Sequence, residues 1–180
     1  ASVVDDLTDE LETAEPVESQ FWTAAVGTEE SVELLVERLA AADDSLVVVA
    51  GAVSPQFDLG AVGKRVVEEL EAALDRGVDV SVLMAPELVE SLPESVGERY
   101  TQRLANHPAF SVRTAPGLSG TFELIDDVEV CIEVPNPLDP AQAFAMIDLK
   151  DPDFAADVRE MFDPQWEAAE PLALSSLGGE

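Results

Sequence analysis

Residues that commonly carry catalysis are few in this sequence, and they form no familiar catalytic set. His107 is the one histidine, and it precedes Pro108 at the end of a predicted helix, where a histidine more often interacts with the helix dipole than reacts. One histidine supports no Ser-His-Asp grouping, and together with the single Cys131 it is too little for a zinc site. There is neither a P-loop nor a G-x-G-x-x-G loop. The 38 Asp and Glu residues form pairs at every spacing, so no particular metal site and no cofactor are predicted.

One stretch has the spacing of a catalytic motif without its reactive residues. Residues 119–136 read SGTFELIDDVEVCIEVPN, which predicts a strand, a two-residue turn, a second strand and an Asn. The stretch resembles the phospholipase-D-type hairpin, in which H-x-K-x-x-x-x-D is followed by a strand and an Asn. By this resemblance Ser119 stands in place of the nucleophilic His and Thr121 in place of the phosphate-binding Lys, whereas Asp126 and Asn136 fit. Asp126 is equally plausible as a plain turn residue. A serine without an adjacent base is no nucleophile, so we expect a protein that is not an enzyme.

The charge of the chain is extreme, with 38 acidic against 9 basic side chains and a net charge of −29. The acids occupy the polar positions of regular amphipathic helices rather than one block, and 47% of the residues are hydrophobic, so the chain is not a disordered acidic tail. This pattern predicts adaptation to molar salt, where charge repulsion is strongly screened. The alternative is an ordinary protein with one acidic partner-binding face. In both cases the scarcity of Lys and Arg argues against binding of this segment to DNA or to an anionic membrane.

The chain length and the absence of sorting signals favour one cytoplasmic domain with an extension. The 180 residues suffice for one sizeable core, and one cysteine allows no internal disulfide. No signal peptide and no apolar run of transmembrane length are present. The sequence begins at Ala1 without Met, which suggests a processed protein or a piece of a longer one.

Hydrophobic periodicity divides the chain into three parts. Residues 1–19 are predicted as a linker or dimerisation helix, because residues 3–15 carry a narrow apolar seam, although a terminal helix packed on its own domain fits equally. Residues 20–172 alternate strands and helices, including a strand–helix–strand unit over 46–84, and predict an α/β domain with a mixed, mostly parallel sheet flanked by helices. Residues 173–180 are predicted as a loose tail.

Local signals predict several helix ends and buried residues. Thr28 and Asp151 are expected to cap the helices that follow them, Gly77 to end the helix before it, and Pro93 to interrupt the helical stretch 86–106. Cys131 is expected to be a small buried residue of an apolar strand. The last helix is expected to bury Phe154, Val158, Met161, Phe162 and Trp166.

The order of these elements resembles the TrmB-like transcriptional regulators. The resemblance covers roughly residues 20–170 and is carried by FWTAAVG at 21–27 followed by a helix and DDSLVVVA at 43–50, by AALDRGVDV at 72–80, and by the 122–136 hairpin with its closing helix. Such regulators join an N-terminal winged helix and a linker helix to a catalytically silent phospholipase-D-like domain. The resemblance therefore implies an effector-binding and dimerisation domain that reaches DNA only through an N-terminal module absent from this chain. The sugar-binding region of the longer family members is absent too.

Ligand sites in α/β sheets lie at the carboxyl ends of the parallel strands, which selects five candidate ligand-binding residues. Ser54 and Gln56 follow the first parallel strand, Glu87 follows the second, and Asp126 and Asn136 lie in the former catalytic neighbourhood. We expect a homodimer that responds to a small-molecule effector. The alternatives are a stand-alone small-molecule-binding protein, a phosphodiesterase with rearranged residues, and a dimerisation module without a ligand.

Overall fold

The computed structural model describes residues 21–51, 59–118 and 120–172. The predicted linker helix (1–19) and tail (173–180) lie outside these residues. The elements are β1 (Phe21–Val26), α1 (Thr28–Ala40), β2 (Ser45–Ala50), α2 (Leu59–Asp75), β3 (Asp79–Met84), α3 (Pro86–Ser91), α4 (Glu94–Arg103), β4 (Phe110–Thr114), β5 (Thr121–Ile125), β6 (Glu129–Asn136), β7 (Asp139–Lys150), α5 (Pro152–Ala168) and β8 (Glu170–Pro171).

Eight strands of the described residues form one sheet in the order β1-β7-β6-β5-β2-β3-β4-β8. The predicted α/β class and mixed sheet are confirmed, but the prediction of a mostly parallel sheet is wrong. Two neighbouring pairs, β2–β3 and β3–β4, are parallel, and the other five pairs are antiparallel. The connections explain the difference, because helices cross between β2, β3 and β4, whereas β5, β6 and β7 follow one another through turns too short for a crossover.

The parallel part contains the strand–helix–strand unit that the sequence predicts. Strand β2 is buried along its centre, as its uninterrupted apolar run requires, and β3 lies beside it in parallel register. Helix α2 ends before Gly77, which has a φ of 90° and donates its N–H to the carbonyl of Leu74. A glycine in this left-handed conformation is the helix end predicted from the sequence. The predicted interruption near Pro93 is also confirmed, since it separates α3 from α4.

The antiparallel part is built on the predicted hairpin. Strands β5 and β6 are joined by Asp126, Asp127 and Val128, one residue more than the predicted two-residue turn. Asp126 and Asp127 have positive φ values of 55° and 56°, a left-handed conformation that Asp tolerates better than most residues do. Strand β5 also pairs with β2, so the 119–136 motif lies directly beside the 45–50 strand.

The sheet is covered on both faces, and the two covers differ. Helices α1, α2 and α4 pack on one face, which we call the helix-rich face, where they meet the side chains of Leu46, Val48 and Val80 among others. Helix α5 packs on the opposite face, where Ala155 and Phe162 contact Val47 and Leu124. The alternation of side chains along β2 sends Val48 to one core and Val47 to the other.

The ends of the first and last helices show which sequence signals were reliable. Asp151 caps α5, as predicted, by accepting hydrogen bonds from the backbone N–H groups of Asp153 and Phe154 at 3.1 and 3.2 Å. The same helix was expected to bury Met161, but this side chain is 71% exposed. The face of α5 that packs on the sheet carries Ala155 and Phe162, and Met161 is not among the residues of that core. Helix α1 has Gly27 rather than the predicted Thr28 at its cap position.

In the described part of the chain, no helix combines the length and the apolar character that a membrane crossing requires.

Candidate functional site

Asp126 holds the hairpin against the start of β2. Its carboxylate accepts hydrogen bonds from the backbone N–H groups of Asp43, Asp44 and Ser45 at 3.0, 2.7 and 3.1 Å. Its own N–H donates to the carbonyl of Ser45 at 2.8 Å. These contacts lie at the amino end of β2, whereas the predicted ligand site lies at the carboxyl end. The side chain of Asp126 therefore acts as a structural clamp in this structure.

The structure does not gather the other predicted ligand residues around Asp126. Asn136 ends β6, and its side-chain oxygen accepts a hydrogen bond from Leu138 N–H at 2.9 Å within the β6–β7 turn. The eight residues of β6 separate this turn from the hairpin turn by roughly 20 Å. Glu87 lies in the first turn of α3 with an exposed side chain. The prediction that Asp126 and Asn136 share one neighbourhood is wrong, because Asp126 lies in the turn before β6 and Asn136 lies at the far end of β6. Ser54, Gln56 and Ser119 lie outside the described residues.

Thr121 lies at the carboxyl edge of the parallel strands. It begins β5 opposite Ala50, the last residue of β2. The pairing continues one residue further, where Gly51 N–H donates to the Gly120 carbonyl at 3.0 Å. A Cβ at Gly51 would lie 2.5 Å from that oxygen, so only glycine allows the backbones of these two segments to approach this closely. The edge that was predicted to hold a ligand is therefore the edge where the motif begins.

Four acidic side chains lie on the helix-rich face of the antiparallel strands, and we call them the carboxyl cluster. On β6, Glu129 and Glu133 flank Cys131 at alternate positions and so share its face. Cross-strand pairing places Glu123 on β5 and Asp148 on β7 directly opposite Cys131, one on each side. Cys131 is fully buried, as predicted, and burial raises the pKa of its thiol above the ordinary value.

Half of the carboxyl cluster is neutralised by a cation from helix α1. Arg38 Nε donates to Glu129 Oε2 at 2.6 Å, and Arg38 Nη2 donates to Glu129 Oε1 at 2.9 Å. The same Nε lies 3.6 Å from Asp148 Oδ2. The hydrogen bond with Glu129 raises the pKa of Arg38. Burial, and next the neighbouring Glu129 carboxylate, raise the pKa of Asp148, while Arg38 and Lys150 act in the opposite direction. This two-pronged pairing is the strong geometry for a guanidinium and a carboxylate.

The other half of the carboxyl cluster has no such cation. Glu123 is 3% exposed, and its Oε2 has no hydrogen-bond partner in the described structure. Burial, and then the charges of Glu133 and Asp148, raise the pKa of Glu123 to about 8. Burial also raises the pKa of Glu133 to about 7, although a hydrogen bond with Thr121 works against this. Both groups therefore titrate near neutral pH, where a small change in surroundings changes their charge.

Glu123 and Glu133 line a cavity of about 190 Å³ between the sheet and the helices, which we call the helix-side cavity. Its polar side comes from β5 and β6 and includes Thr121, and the rest of its wall is almost entirely apolar. None of the described residues that line it is a Lys, Arg or His. The main apolar contributions come from Leu35, Val48, Val66, Met84, Tyr100 and Met146.

The residues that line the helix-side cavity determine which class of ligand it can bind. An anion would meet two carboxyl groups and no cation, so phosphate is disfavoured. An apolar molecule that presents a hydrogen-bond donor to Glu123 is favoured, because the donor would satisfy the unpartnered oxygen. Within the described residues, no group of three or more His, Cys, Asp or Glu side chains has the arrangement of a metal site.

Glu123 and Glu133 were not identified from the sequence, although a signal for them existed. They fall in phase with Ile125 and Cys131, which are plainly apolar positions of the same two strands. In a chain with 38 acids such residues resemble ordinary surface charge. Alternation within a hairpin, rather than charge, was the signal that could have revealed them.

A second cleft of about 250 Å³ lies on the opposite face, between α5 and the starts of β5 and β6. It borders Gly117, Leu118 and Gly120, and the exposed Met161 forms part of its rim. The described residues that line this cleft carry no charged side chain.

Comparison with known proteins gives one family and one fold. Residues 16–172 match the family model described as a domain of unknown function (DUF7436). No curated protein matches the chain. Among solved structures, TrmBL2, an archaeal chromatin protein whose structure shows a novel mode of DNA binding, is similar with 18% identity and a TM-score of 0.65. That match covers 95% of this chain but 62% of TrmBL2, so this chain spans less than two thirds of that relative.

Two bacterial proteins are similar over almost their whole length. Nuc from Salmonella typhimurium, a phospholipase D family member, has 15% identity and a TM-score of 0.64 over 85% of this chain and 98% of its own. NucT from Helicobacter pylori has 12% identity and a TM-score of 0.62 over 85% and 99%. At these identities the matches establish the fold, which is phospholipase-D-like, as the hairpin motif predicted.

Proposed function

The chain belongs to the DUF7436 family, and from that premise we propose that it is a non-catalytic effector-binding and dimerisation domain of a TrmB-like transcriptional regulator. The phospholipase-D-like fold supports the proposal, and so does the likeness to TrmBL2, a chromatin protein that binds DNA. With a net charge of −29 this segment is a poor ligand for DNA itself. Contact with DNA would belong to an additional N-terminal module.

One observation carries the non-catalytic part of this proposal. Where the phospholipase-D-type motif has its phosphate-binding Lys, this chain has Thr121, and two residues further along the same face lies the buried Glu123. Thr121 hydrogen-bonds with Glu133. A negatively charged phosphodiester would meet carboxyl groups where the motif provides a cation, so the strand favours recognition of a different class of molecule.

The proposed homodimer has a plausible contact surface at the edge strand β1. Among the described strands β1 pairs only with β7, and it exposes Trp22 by 62% and Val26 by 65% on the same face. Exposed apolar groups on an unpaired strand edge favour association with another chain. Light scattering should detect a dimer, and Trp22→Glu should weaken it more than Thr23→Glu, which places the same charge on the other face of β1.

The acidic surface supports a second element of the proposal, an intracellular environment of molar salt. Screening reduces repulsion among the exposed acids at high ionic strength. The protein should therefore unfold at a higher temperature in molar KCl than in dilute buffer. A melting temperature that does not depend on salt would favour the alternative of an acidic partner-binding face.

The non-catalytic role is tested with a generic phosphodiester, bis(p-nitrophenyl) phosphate. We expect no turnover above the uncatalysed rate, with or without divalent cations. Turnover that Thr121→Val abolishes would establish the rival phosphodiesterase. Asp126→Ala is a poor test of that rival, because it also removes the clamp on β2.

The effector role is tested by thermal-shift screening in molar salt against sugars, sugar phosphates, nucleotides and small amines. A specific ligand raises the melting temperature, and the shift grows with the logarithm of the ligand concentration once this exceeds the Kd. A screen without hits, combined with a stable dimer, would favour a dimerisation module. The gene sequence upstream of Ala1 tests the regulator role, which requires a winged helix there.

A further inference from the structure

The two halves of the carboxyl cluster are satisfied to different degrees. Glu129 receives two hydrogen bonds from Arg38. Asp148 Oδ2 lies 3.6 Å from the same guanidinium, although Asp148 Oδ1 has no hydrogen-bond partner in the described structure. Glu123 is as deeply buried, yet its Oε2 has no partner in the described structure. A buried carboxyl group without a partner lowers the stability of the fold, and such groups are concentrated at functional sites. Glu123 and Glu133 also face a cavity, which neither Glu129 nor Asp148 lines.

The position of Glu123 in the helix-side cavity defines a polar end and an apolar end. Glu123, Glu133 and Thr121 come from the adjacent strands β5 and β6. Strands β3 and β4 and helices α2 and α4 form the opposite wall, where Tyr100 is the one described lining residue with a side-chain oxygen or nitrogen. A ligand that fits both ends has a polar head and an apolar body. An apolar cavity of about 150 Å³ holds benzene, so one of about 190 Å³ accepts a body of roughly that size with a short extension.

We propose that the helix-side cavity binds a small amine, with its ammonium group between Glu123 and Glu133 and its hydrocarbon body against the apolar wall. The inference rests on the proposed effector-binding role and adds the chemical class of the effector. An ammonium group donates up to three hydrogen bonds and supplies the positive charge that Arg38 gives to the other half of the carboxyl cluster. A carboxylate or phosphate ligand would instead add a negative charge to an acidic wall.

The titratable groups around Glu123 determine how binding depends on pH. Glu133 and Cys131 face it from β6, and Asp148 faces it from β7. Arg38 from α1 is held by Glu129, and the helices above the cavity contribute apolar side chains and Tyr100. Since burial raises the pKa of Glu123 to about 8, an ammonium ion that binds at pH 7 displaces a proton from this carboxyl. Amine binding should therefore tighten as the pH rises from 6 to 8, by at least about tenfold.

A matched set of six-carbon probes tests the head group. Hexylamine, hexanol and hexanoate share one body and differ only in charge, and the amine stays cationic throughout this pH range. Calorimetry at pH 8 in molar salt should show hexylamine binding at least about tenfold more tightly than hexanol, because hydrogen bonds between charged groups exceed neutral ones. Hexanoate should not bind measurably.

The three methionines of the chain locate the bound probe. Met84 and Met146 line the helix-side cavity, whereas Met161 is exposed on α5 and lies outside it. With methyl-labelled methionine, hexylamine should shift the NMR signals of Met84 and Met146 and leave that of Met161 unchanged. A shift of Met161 alone would place the probe in the second cleft and contradict the inference.

Two variants and a control test the role of the carboxyl groups. Glu123→Gln should weaken hexylamine binding by at least about tenfold and remove most of its pH dependence. Glu133→Gln should have a smaller effect in the same direction, and it provides the test if the first variant does not fold. Glu90→Gln removes the same charge from an exposed position on α3 and should change neither property.

The outcomes show whether the amine inference fails alone or together with the proposed effector role. If hexanol binds as well as hexylamine, or if Glu123→Gln binds hexylamine as tightly as the wild type, the amine class is wrong. If none of the three probes binds while another compound raises the melting temperature in the screen, the effector role stands and the amine inference fails. If neither the probes nor the screen gives a ligand, both fail together.

Discussion

The parallel and antiparallel parts of the sheet share the helix-rich face but build it from different residues. On β2 and β3 that face is aliphatic, with Val48, Val80 and Val82 buried in one core. On β5, β6 and β7 it includes the carboxyl cluster and buried Cys131. The first part gains stability from apolar burial alone. The second part carries buried charge, which stabilises a fold poorly unless it is fully paired. The difference supports the proposal above, in which the parallel part is the scaffold and the hairpin part binds the effector.

The largest effect that would sharpen this comparison comes from removing the cation of the carboxyl cluster. Arg38→Met leaves Glu129 and Asp148 buried without their guanidinium, which should cost about 3–5 kcal/mol of unfolding free energy at pH 8. Arg65→Met is the matched control, since Arg65 pairs with Glu33 on the exposed helix surface, and its loss of unfolding free energy should be much smaller. Urea denaturation of both variants measures the difference. Equal losses of unfolding free energy would mean that Arg38 stabilises the carboxyl cluster no more than Arg65 stabilises its surface ion pair.

The second prediction concerns the pH dependence of stability. Burial raises the pKa of Glu123 from 4.5 to about 8, so the folded protein holds a proton that the unfolded chain releases between these values. The folded state binds more protons in this window, and stability must therefore fall as the pH rises. Between pH 5 and pH 7.5 the linkage amounts to about 3 kcal/mol from this group. The raised pKa values of Glu133 and Asp148 act in the same direction.

Glu123→Gln isolates the contribution of this one carboxyl. Urea denaturation at several pH values should give a flatter profile for the variant by about 3 kcal/mol over the same window. The variant should be the more stable protein at pH 7.5, because its amide is neutral in both states, whereas the wild-type carboxylate must take up a proton when the chain folds. A wild-type profile as flat as that of the variant would show that Glu123 ionises freely, and the contrast between the two sheet parts would lose its main support.

The third prediction tests the junction where the two parts meet. At the end of β2 an added Cβ on Gly51 would lie 2.5 Å from the Gly120 carbonyl oxygen and 2.9 Å from that of Leu118. Both obstacles are backbone atoms, so Gly51→Ala must push the strands apart and should cost about 2 kcal/mol. Gly120→Ala is the matched control, because its added Cβ meets no atom within 4 Å. The melting temperatures of the two variants measure the difference. Equal melting temperatures would show that the backbone around Gly51 moves apart at little cost in stability.

How much could be predicted from the sequence also differs between the two parts. The parallel strands, Gly77 at the end of α2 and the break at Pro93 followed from local signals that agree with one another. The hairpin turn at Asp126 was predicted too, but its role as a backbone clamp depends on Asp43 to Ser45, some 80 residues away in sequence. Glu123 was missed because a buried acid looks like a surface acid in an acidic chain. The lining of the cavity comes from six strands and four helices, which no local sequence pattern encodes.

The smallest effect is expected where the hairpin is held to the scaffold by Asp126. Asp126→Asn keeps a residue that tolerates a positive φ but replaces charge-assisted hydrogen bonds to Asp43, Asp44 and Ser45 with neutral ones. The expected cost is about 1 kcal/mol, because these bonds lie near the surface, where water competes for the same N–H groups. Asp127→Asn is the control, since Asp127 adopts nearly the same φ and makes only an exposed 3.5 Å contact with Arg159 in the described structure. Urea denaturation should place Asp127→Asn within error of the wild type and Asp126→Asn measurably below it. A loss as large as that of Arg38→Met would mean that the hairpin depends on its turn more than on its buried charges, and the comparison would have to be reversed.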